Sequence, residues 1–111
     1  MYKGRRIAAV VPAYREQALI AQTIKGVPEF VDHIVVVDDC SPDNTSEQAL
    51  AVGDPRVRLE RLETNQGVGG AILTGHRIAL ELGAQIMVVM AGDDQMDPAE
   101  MPRLLDPIID E

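Results

Sequence analysis

Aromatic residues and cysteines are scarce in this sequence. Its 111 residues include no tryptophan, one phenylalanine and two tyrosines, so a ligand that stacks on aromatic rings has few partners. Cys40 is the single cysteine, which excludes an internal disulfide bond. Because disulfides are typical of oxidising compartments, a lone cysteine favours a cytoplasmic protein.

Positive charge and long apolar segments are also in short supply. Lysine and arginine number 10 against 18 acidic residues, which gives a formal net charge of -8. Nucleic-acid binding depends on clustered cations at phosphates, so DNA or RNA is excluded as the main partner. No segment reaches the ~18 uninterrupted apolar residues that a membrane span requires. The acid excess remains compatible with a single nucleotide held through a divalent metal.

The chain does contain enough aliphatic residues for one folded domain, residues 1–111, since 46% of it is hydrophobic. Continuously apolar or alternating runs predict four β-strands, at residues 7–11, 34–37, 57–62 and 86–90. Amphipathic stretches predict four helices, at residues 16–25, 45–52, 68–82 and 99–109. Strictly alternating strands and helices predict an α/β fold, a three-layer α/β/α sandwich with a mainly parallel sheet.

Polar and mostly acidic segments follow three of the four predicted strands. They are PAYRE at residues 12–16, DDCSPDNT at residues 38–45 and AGDDQMDP at residues 91–98. In open parallel sheets, ligands bind beyond the carboxyl ends of the strands. The three segments therefore predict one shared site at that edge.

Asp38 and Asp39 are adjacent carboxylates at a strand end, and two interpretations of them are open. In the first, one caps the following helix and the other is solvated. In the second, one accepts hydrogen bonds from a base or a ribose, a role for which a carboxylate is suited because it only accepts.

Asp93, Asp94 and Asp97 also allow two interpretations. Three acids within five residues form a hard-oxygen cluster that suits Mg²⁺ or Mn²⁺ held jointly with phosphate oxygens. The alternative is an acidic first turn of the helix that begins near Pro98, where the helix dipole favours carboxylates.

The glycine-rich segment at residues 65–75 is not a dinucleotide-binding fingerprint. Gly67 and Gly69 fit the first two positions of G-x-G-x-x-G, but Ile72 occupies the third, and the segment follows the third strand instead of the first. The glycines predict a tight turn into the long helix and close contact of that helix with the sheet.

Four segments in order resemble family 2 glycosyltransferases, and specifically the dolichyl- or polyprenyl-phosphate sugar synthase branch. VVPAYRE is similar to the V-P-x-Y-N-E opening of that family, and VVVDDCSPDNT is similar to its V-D-D-x-S-x-D-x-T segment. NQGVGGAILTGHRIALELGA resembles its N-x-G-x-G-x-A stretch, and MAGDDQMDP resembles its D-A-D-x-Q-x-x-P metal segment. Together the four segments cover most of the chain.

The resemblance implies a fold of the glycosyltransferase A type, the one shared by nucleotide-diphospho-sugar transferases. It also implies a set of residues that bind a nucleoside-diphosphate sugar, linked to GDP or UDP: Pro12, Ala13, Tyr14, Glu16, Val37, Asp38, Asp39, Gly92, Asp93 and Gln95. Asp93, with Asp94 beside it, would hold Mg²⁺ or Mn²⁺ at the diphosphate.

Two positions depart from the family pattern. Arg15 replaces the usual asparagine of the first segment, and Ala91 occupies the place of the first acid in the metal segment. Ala91 leaves Asp93 and Asp94 as the expected metal ligands.

The resemblance implies inverting sugar transfer to an acceptor such as a polyprenyl phosphate or a glycan, at the cytoplasmic face of a membrane in the intact protein. Because family members are longer, the acceptor site and the catalytic base are expected beyond Glu111, and this chain is expected to be a truncated, inactive donor-binding part. The alternative is a non-catalytic nucleotide-binding or interaction domain. The oligomeric state is not predicted.

Overall fold

The structure, a computed structural model, describes residues 1–90. Strands and helices alternate along this range: β1 (Ile7–Ala13), α1 (Ile20–Lys25), β2 (His33–Asp38), α2 (Thr45–Ala51), β3 (Val57–Arg61), α3 (Gly67–Glu81) and β4 (Ile86–Val89). All four predicted strands and the first three predicted helices are present. The helix predicted at residues 99–109 lies outside the described residues.

The four strands form one parallel sheet in the order β3-β2-β1-β4. The strands β1 and β2 occupy its centre, where side chains are buried on both faces. The β3 strand, which alternates apolar and charged residues, lies at an edge of the described sheet.

Helices cover both faces of the sheet, which confirms the predicted three-layer arrangement. On one face, side chains of β1 at odd positions contact α1 and α2 in a cluster that includes Ile7, Val11, Ile20, Ile24, Ile34 and Ala49. On the other face, the even positions contact α3 in a second cluster that includes Ala8, Val10, Val35, Ala71, Ile78 and Ala79. Both clusters exclude water from a sheet whose strand ends remain accessible.

The start of α1 was predicted at Glu16, and this boundary is wrong because the helix begins at Ile20. Arg15 has a left-handed backbone with φ of 55°, which interrupts any helix at that point. The backbone N–H of Glu16 donates to the Thr45 hydroxyl at 3.0 Å. The N–H groups of Leu19 and Ile20 both donate to the Glu16 carbonyl, at 3.0 and 2.8 Å, so hydrogen-bonded turns precede the regular helix.

The glycines around α3 act as the sequence predicts. Gly67 begins the helix with φ of 80°, and Gly83 follows its end with φ of 87°, conformations that side chains rarely adopt. At Gly75, an added Cβ would lie 2.4 Å from Cγ1 of Val10, so only glycine lets α3 approach β1 this closely.

In the described part of the chain, no helix combines the length and apolarity needed to cross a membrane.

Candidate functional site

The loops that follow β1 and β2 are joined by hydrogen bonds at the carboxyl edge of the sheet. The backbone N–H of Arg15 donates to the Ser41 hydroxyl at 3.0 Å. The neighbouring N–H of Glu16 donates to the Thr45 hydroxyl at the same distance. Because Ser41 and Thr45 are both buried, they fix the first loop onto the second.

A pocket of about 210 Å³ opens between these loops and the first turns of α3. One aromatic ring, two carboxylates and several apolar side chains line it, contributed by Pro12, Ala13, Tyr14, Glu16, Asp39, Val68 and Ala71. The first five of these residues are among those predicted from the sequence to bind a nucleotide sugar. The structure thus brings them together, and ligand contact by each remains a prediction.

Asp39 lies in the pocket wall and also caps α3. Its backbone N–H donates to the carbonyl of Ala13, at 2.9 Å, which joins β2 to β1 just past their ends. Its two carboxylate oxygens accept from the backbone N–H groups of Gln66, at 2.7 Å, and Gly67, at 2.9 Å. The capped helix is therefore α3, not the following helix α2. Each oxygen keeps a second lone pair that can accept from a ligand donor.

Asp38 supports the pocket from the interior and does not line it. The residue is fully buried, and one oxygen accepts from the Ser41 backbone N–H at 2.9 Å. The other oxygen accepts from the Ser46 hydroxyl and lies 3.8 Å from the Arg61 guanidinium. Val37 is likewise buried, against α3. Within the predicted set, these two residues are thus placed below the pocket wall.

Asp43 and Thr45 form a chain of hydrogen bonds that ends at Glu16, a residue of the pocket wall. The Thr45 hydroxyl and backbone N–H both donate to Oδ1 of Asp43, and the same hydroxyl accepts from Glu16. Desolvation alone would raise the pKa of Asp43, but hydrogen bonds, first those from Thr45 and then those from backbone groups, hold that pKa below its usual value. An ionised Asp43 therefore orients the hydroxyl that holds the first loop.

Tyr14 presents its ring at the mouth of the pocket. The residue is 41% exposed, and the Arg15 guanidinium carbon lies 5.4 Å from the ring centroid. An exposed aromatic ring beside hydrogen-bond acceptors is an arrangement that suits a planar, donor-bearing ligand such as a nucleobase.

Sequence reasoning missed two pocket residues, Val68 and Ala71. Both belong to the first turns of α3, which follows the one predicted strand whose end was not assigned to the site. The only available signal was the glycine-rich turn into that helix, which allows close approach of a ligand.

The predicted metal segment, residues 91–98, lies outside the described residues. This segment contains the predicted site residues Gly92, Asp93, Asp94 and Gln95. Within residues 1–90, no group of three or more histidine, cysteine, aspartate or glutamate side chains could hold a metal ion.

Comparisons with known proteins agree with the fold. The sequence model of the family described as "Glycosyl transferase family 2" matches residues 8–111. The chain is 36% identical to an undecaprenyl-phosphate mannosyltransferase of Micrococcus luteus, over 93% of this chain and 44% of that protein. It is 34% identical to a polyprenol monophosphomannose synthase of Mycolicibacterium smegmatis, over 94% of this chain and 41% of that protein. The chain thus spans less than half the length of these curated relatives.

Solved structures are similar over nearly all of the chain. Glucosyl-3-phosphoglycerate synthase from Mycobacterium tuberculosis, in complex with UDP, matches with a TM-score of 0.78 and 27% identity. This match covers 97% of this chain and 41% of that one. A complex of the same enzyme with Mn²⁺ and UDP-glucose matches with a TM-score of 0.76. These matches confirm the predicted fold of the glycosyltransferase A type, and the sequence match shows that the chain belongs to glycosyl transferase family 2.

Proposed function

We propose that this chain is the donor-binding part of a glycosyltransferase that uses a nucleoside-diphosphate sugar. The observation that carries the proposal is the pocket at the carboxyl edge of the sheet, which combines an exposed aromatic ring with two carboxylates. The base stacks on Tyr14, while Asp39 accepts from an N–H of the base or an O–H of the ribose. The apolar residues of the wall, among them Val68 and Ala71, exclude water from the nucleoside.

The reaction we propose for the intact protein is an inverting transfer. An acceptor oxygen forms a bond to the anomeric carbon as the bond from that carbon to the diphosphate oxygen breaks. Attack from the face opposite the leaving group inverts the configuration, and the diphosphate departs with the electron pair. The residues described here bind and orient the donor, whereas the acceptor site and the catalytic base are proposed to lie beyond Glu111.

The acceptor is proposed to be a lipid phosphate, such as a polyprenyl phosphate, at the cytoplasmic face of a membrane, with a glycan as the alternative. Support comes from the relatives, which include an undecaprenyl-phosphate mannosyltransferase and a dolichyl-phosphate N-acetylglucosaminyltransferase of Methanococcus voltae.

A divalent metal, Mg²⁺ or Mn²⁺, is proposed at Asp93 with Asp94 beside it. Such an ion would neutralise charge on the diphosphate. Support comes from the complexes of the similar synthase, whose ligands include Mn²⁺.

Calorimetric titration of the chain with UDP and GDP, each with and without Mn²⁺, tests the proposal. We expect one of the two nucleotides to bind more tightly, and Mn²⁺ to strengthen that binding. Tyr14→Ala should weaken it by about tenfold, because stacking on an aromatic ring contributes ~1–3 kcal/mol per base.

Leu50→Ala is the matched control, since Leu50 is also exposed but lies on α2, away from the pocket. Absence of binding to either nucleotide in the presence of Mn²⁺ would contradict the proposed function. Binding that ignores Mn²⁺ would favour the non-catalytic nucleotide-binding domain instead.

A further inference from the structure

Arg15 carries a positive charge to the rim of an acidic pocket. The pocket wall contains the carboxylates of Glu16 and Asp39, and Arg15 follows the ring-bearing Tyr14 directly in the chain. Among the described residues, the Arg15 guanidinium forms no ion pair. Its contact there is with the face of the Tyr14 ring, 5.4 Å from guanidinium carbon to centroid. This cation is thus engaged with the ring and not with a neighbouring acid.

The backbone explains why two consecutive side chains meet. In an extended strand, adjacent side chains point to opposite faces of the sheet. Arg15 has φ of 55°, so the chain turns sharply after Tyr14 and that alternation is lost. The turn is fixed because the Arg15 N–H donates to the hydroxyl of Ser41, whose own N–H is bound by buried Asp38. The Arg15 side chain therefore extends from a backbone position that these hydrogen bonds fix.

We propose that Arg15 is a positioning residue for Tyr14, holding the ring in the orientation that lines the pocket. An exposed tyrosine changes rotamer on the picosecond to nanosecond scale unless something restrains it. A cation over one ring face favours one orientation and leaves the other face for a base. The link to nucleotide affinity rests on the proposed function, whereas the restraint on the ring does not.

The scarcity of aromatic residues makes the ring directly observable. The chain has no tryptophan, and its second tyrosine, Tyr2, contacts Phe30 at a ring-centroid distance of 4.6 Å, outside the pocket wall. In a Tyr2→Phe background, time-resolved fluorescence anisotropy therefore reports Tyr14 alone. Arg15→Met removes the charge but keeps a long side chain, and Arg15→Lys is the matched variant that retains the charge.

We expect faster local motion of Tyr14 in Arg15→Met and nearly unchanged motion in Arg15→Lys. Affinities for uridine and for UDP should fall to the same extent in Arg15→Met, by about two- to fivefold, which is what an exposed cation–π contact supports. Equal losses of affinity for uridine and UDP indicate that the substitution affects the contact of Tyr14 with the base and not a contact with phosphate. Thermal unfolding checks the fold, and Arg15→Asn, which adopts left-handed backbone more readily, replaces Arg15→Met if that variant does not fold.

Unchanged motion of Tyr14 in Arg15→Met would overturn the inference. A loss that is much larger for UDP than for uridine would also overturn it, because Arg15 would then contact phosphate. If the unsubstituted chain prefers GDP to UDP, guanosine and GDP replace uridine and UDP in this comparison. If it binds neither UDP nor GDP, the proposed function fails, and the anisotropy comparison still decides whether Arg15 restrains the ring.

Discussion

The two ends of the sheet use aspartate in different ways. At the amino ends of the strands, Asp32 pairs with the N-terminal ammonium and Asp54 pairs with Arg56, each at 2.8 Å. At the carboxyl ends, Asp39 and Asp43 accept hydrogen bonds from backbone N–H groups and a hydroxyl. Cations thus neutralise Asp32 and Asp54 at one end, whereas neutral donors hold Asp39 and Asp43 at the other.

This difference bears on the pocket at the carboxyl end. At the amino end, the ion pairs of Asp32 and Asp54 neutralise the charge of these acids. Neutral donors fix the carboxylates of the loops after β2 without cancelling their charge, so these acids can still attract a donor group or a cation. The comparison predicts that substitutions at the amino end reduce stability alone, while those at the carboxyl end also reduce ligand binding.

The largest effect is expected at Asp38. Asp38→Ala removes the acceptor for the Ser41 N–H and the Ser46 hydroxyl in a fully buried position. Because these donors would stay buried without a partner, we expect unfolding free energy to fall by about 3 kcal/mol. Urea denaturation measures this loss, and nucleotide titration should show a parallel loss of affinity.

Asp32→Ala is the matched variant at the amino end. Asp32 accepts from the Ile7 N–H and from the partly exposed N-terminal ammonium, so we expect a loss of only about 1 kcal/mol. Its nucleotide affinity should equal that of the unsubstituted chain. Equal destabilisation by the two variants would break the comparison.

A smaller effect is expected at Arg56, which joins the amino end of β3 to the loop before β2. Its guanidinium donates to Asp54 and to the carbonyls of Pro28 and Val31. Arg56→Ala should lower the unfolding free energy by about 2 kcal/mol, since several charge-assisted hydrogen bonds are lost from a partly buried site.

Arg58→Ala is the control for Arg56→Ala, because Arg58 is an exposed arginine of β3 only two positions further along the chain. It should change stability by less than about 0.5 kcal/mol. Thermal unfolding compares the two variants, and both should bind nucleotide normally. Weaker nucleotide binding by Arg56→Ala would show that the two ends of the sheet are coupled.

The elements of the fold were predictable because their signals are local. The apolar runs of β1 and β2 and the alternation in β3 each depend on side chains within a few positions of one another. The start of α1 was not predictable in this way. Hydrogen-bonded turns connect Glu16 to Ile20, and the loop before them is held by Ser41 and Thr45. No local pattern contains contacts between residues 26 and 29 positions apart.

The pocket was predictable only in part, for a similar physical reason. Strand topology alone places Tyr14 and Asp39 at one edge, because carboxyl ends of parallel strands coincide. Val68 and Ala71 join them because Asp39 caps the start of α3. It accepts from the N–H groups of Gln66 and Gly67, which lie 27 and 28 positions later in the chain. The position of a helix across the sheet is thus set by a contact that the sequence does not display.

A third prediction concerns Thr45, whose hydroxyl links Asp43 to the pocket loop. Thr45→Val keeps the shape of the side chain but removes the acceptor of the Glu16 N–H. We expect a loss of about 1 kcal/mol in unfolding free energy, together with weaker nucleotide binding, because the loop that carries Tyr14 loses an anchor. Thr45→Ser keeps the hydroxyl and should behave like the unsubstituted chain in denaturation and titration. Normal binding by Thr45→Val would mean that the Ser41 contact alone fixes the loop.

The smallest expected effect concerns the pKa values of Asp32 and Asp43, which are lowered by a charged group and by a neutral donor, respectively. Desolvation raises the pKa of Asp32, but its hydrogen bond and attraction to the N-terminal ammonium, with the Ile7 N–H, bring the net pKa below its usual 3.8. The pKa of Asp43 is lowered against desolvation chiefly by Thr45, a neutral donor. A lowered pKa means that each group stabilises the fold above about pH 4, and that this contribution is lost as pH falls through the folded-state value.

Salt distinguishes these two causes, because at 1 M ionic strength the Debye length is only about 3 Å and exposed charges are screened. We therefore expect 1 M NaCl to raise the pKa of Asp32 towards its ordinary value and to move that of Asp43 much less. Carboxyl ¹³C chemical shifts followed through an acid titration measure both groups in one sample. Equal shifts of the two pKa values with salt would mean that charged groups stabilise the ionised acids at both ends of the sheet. The proposed difference between the two ends would then be wrong.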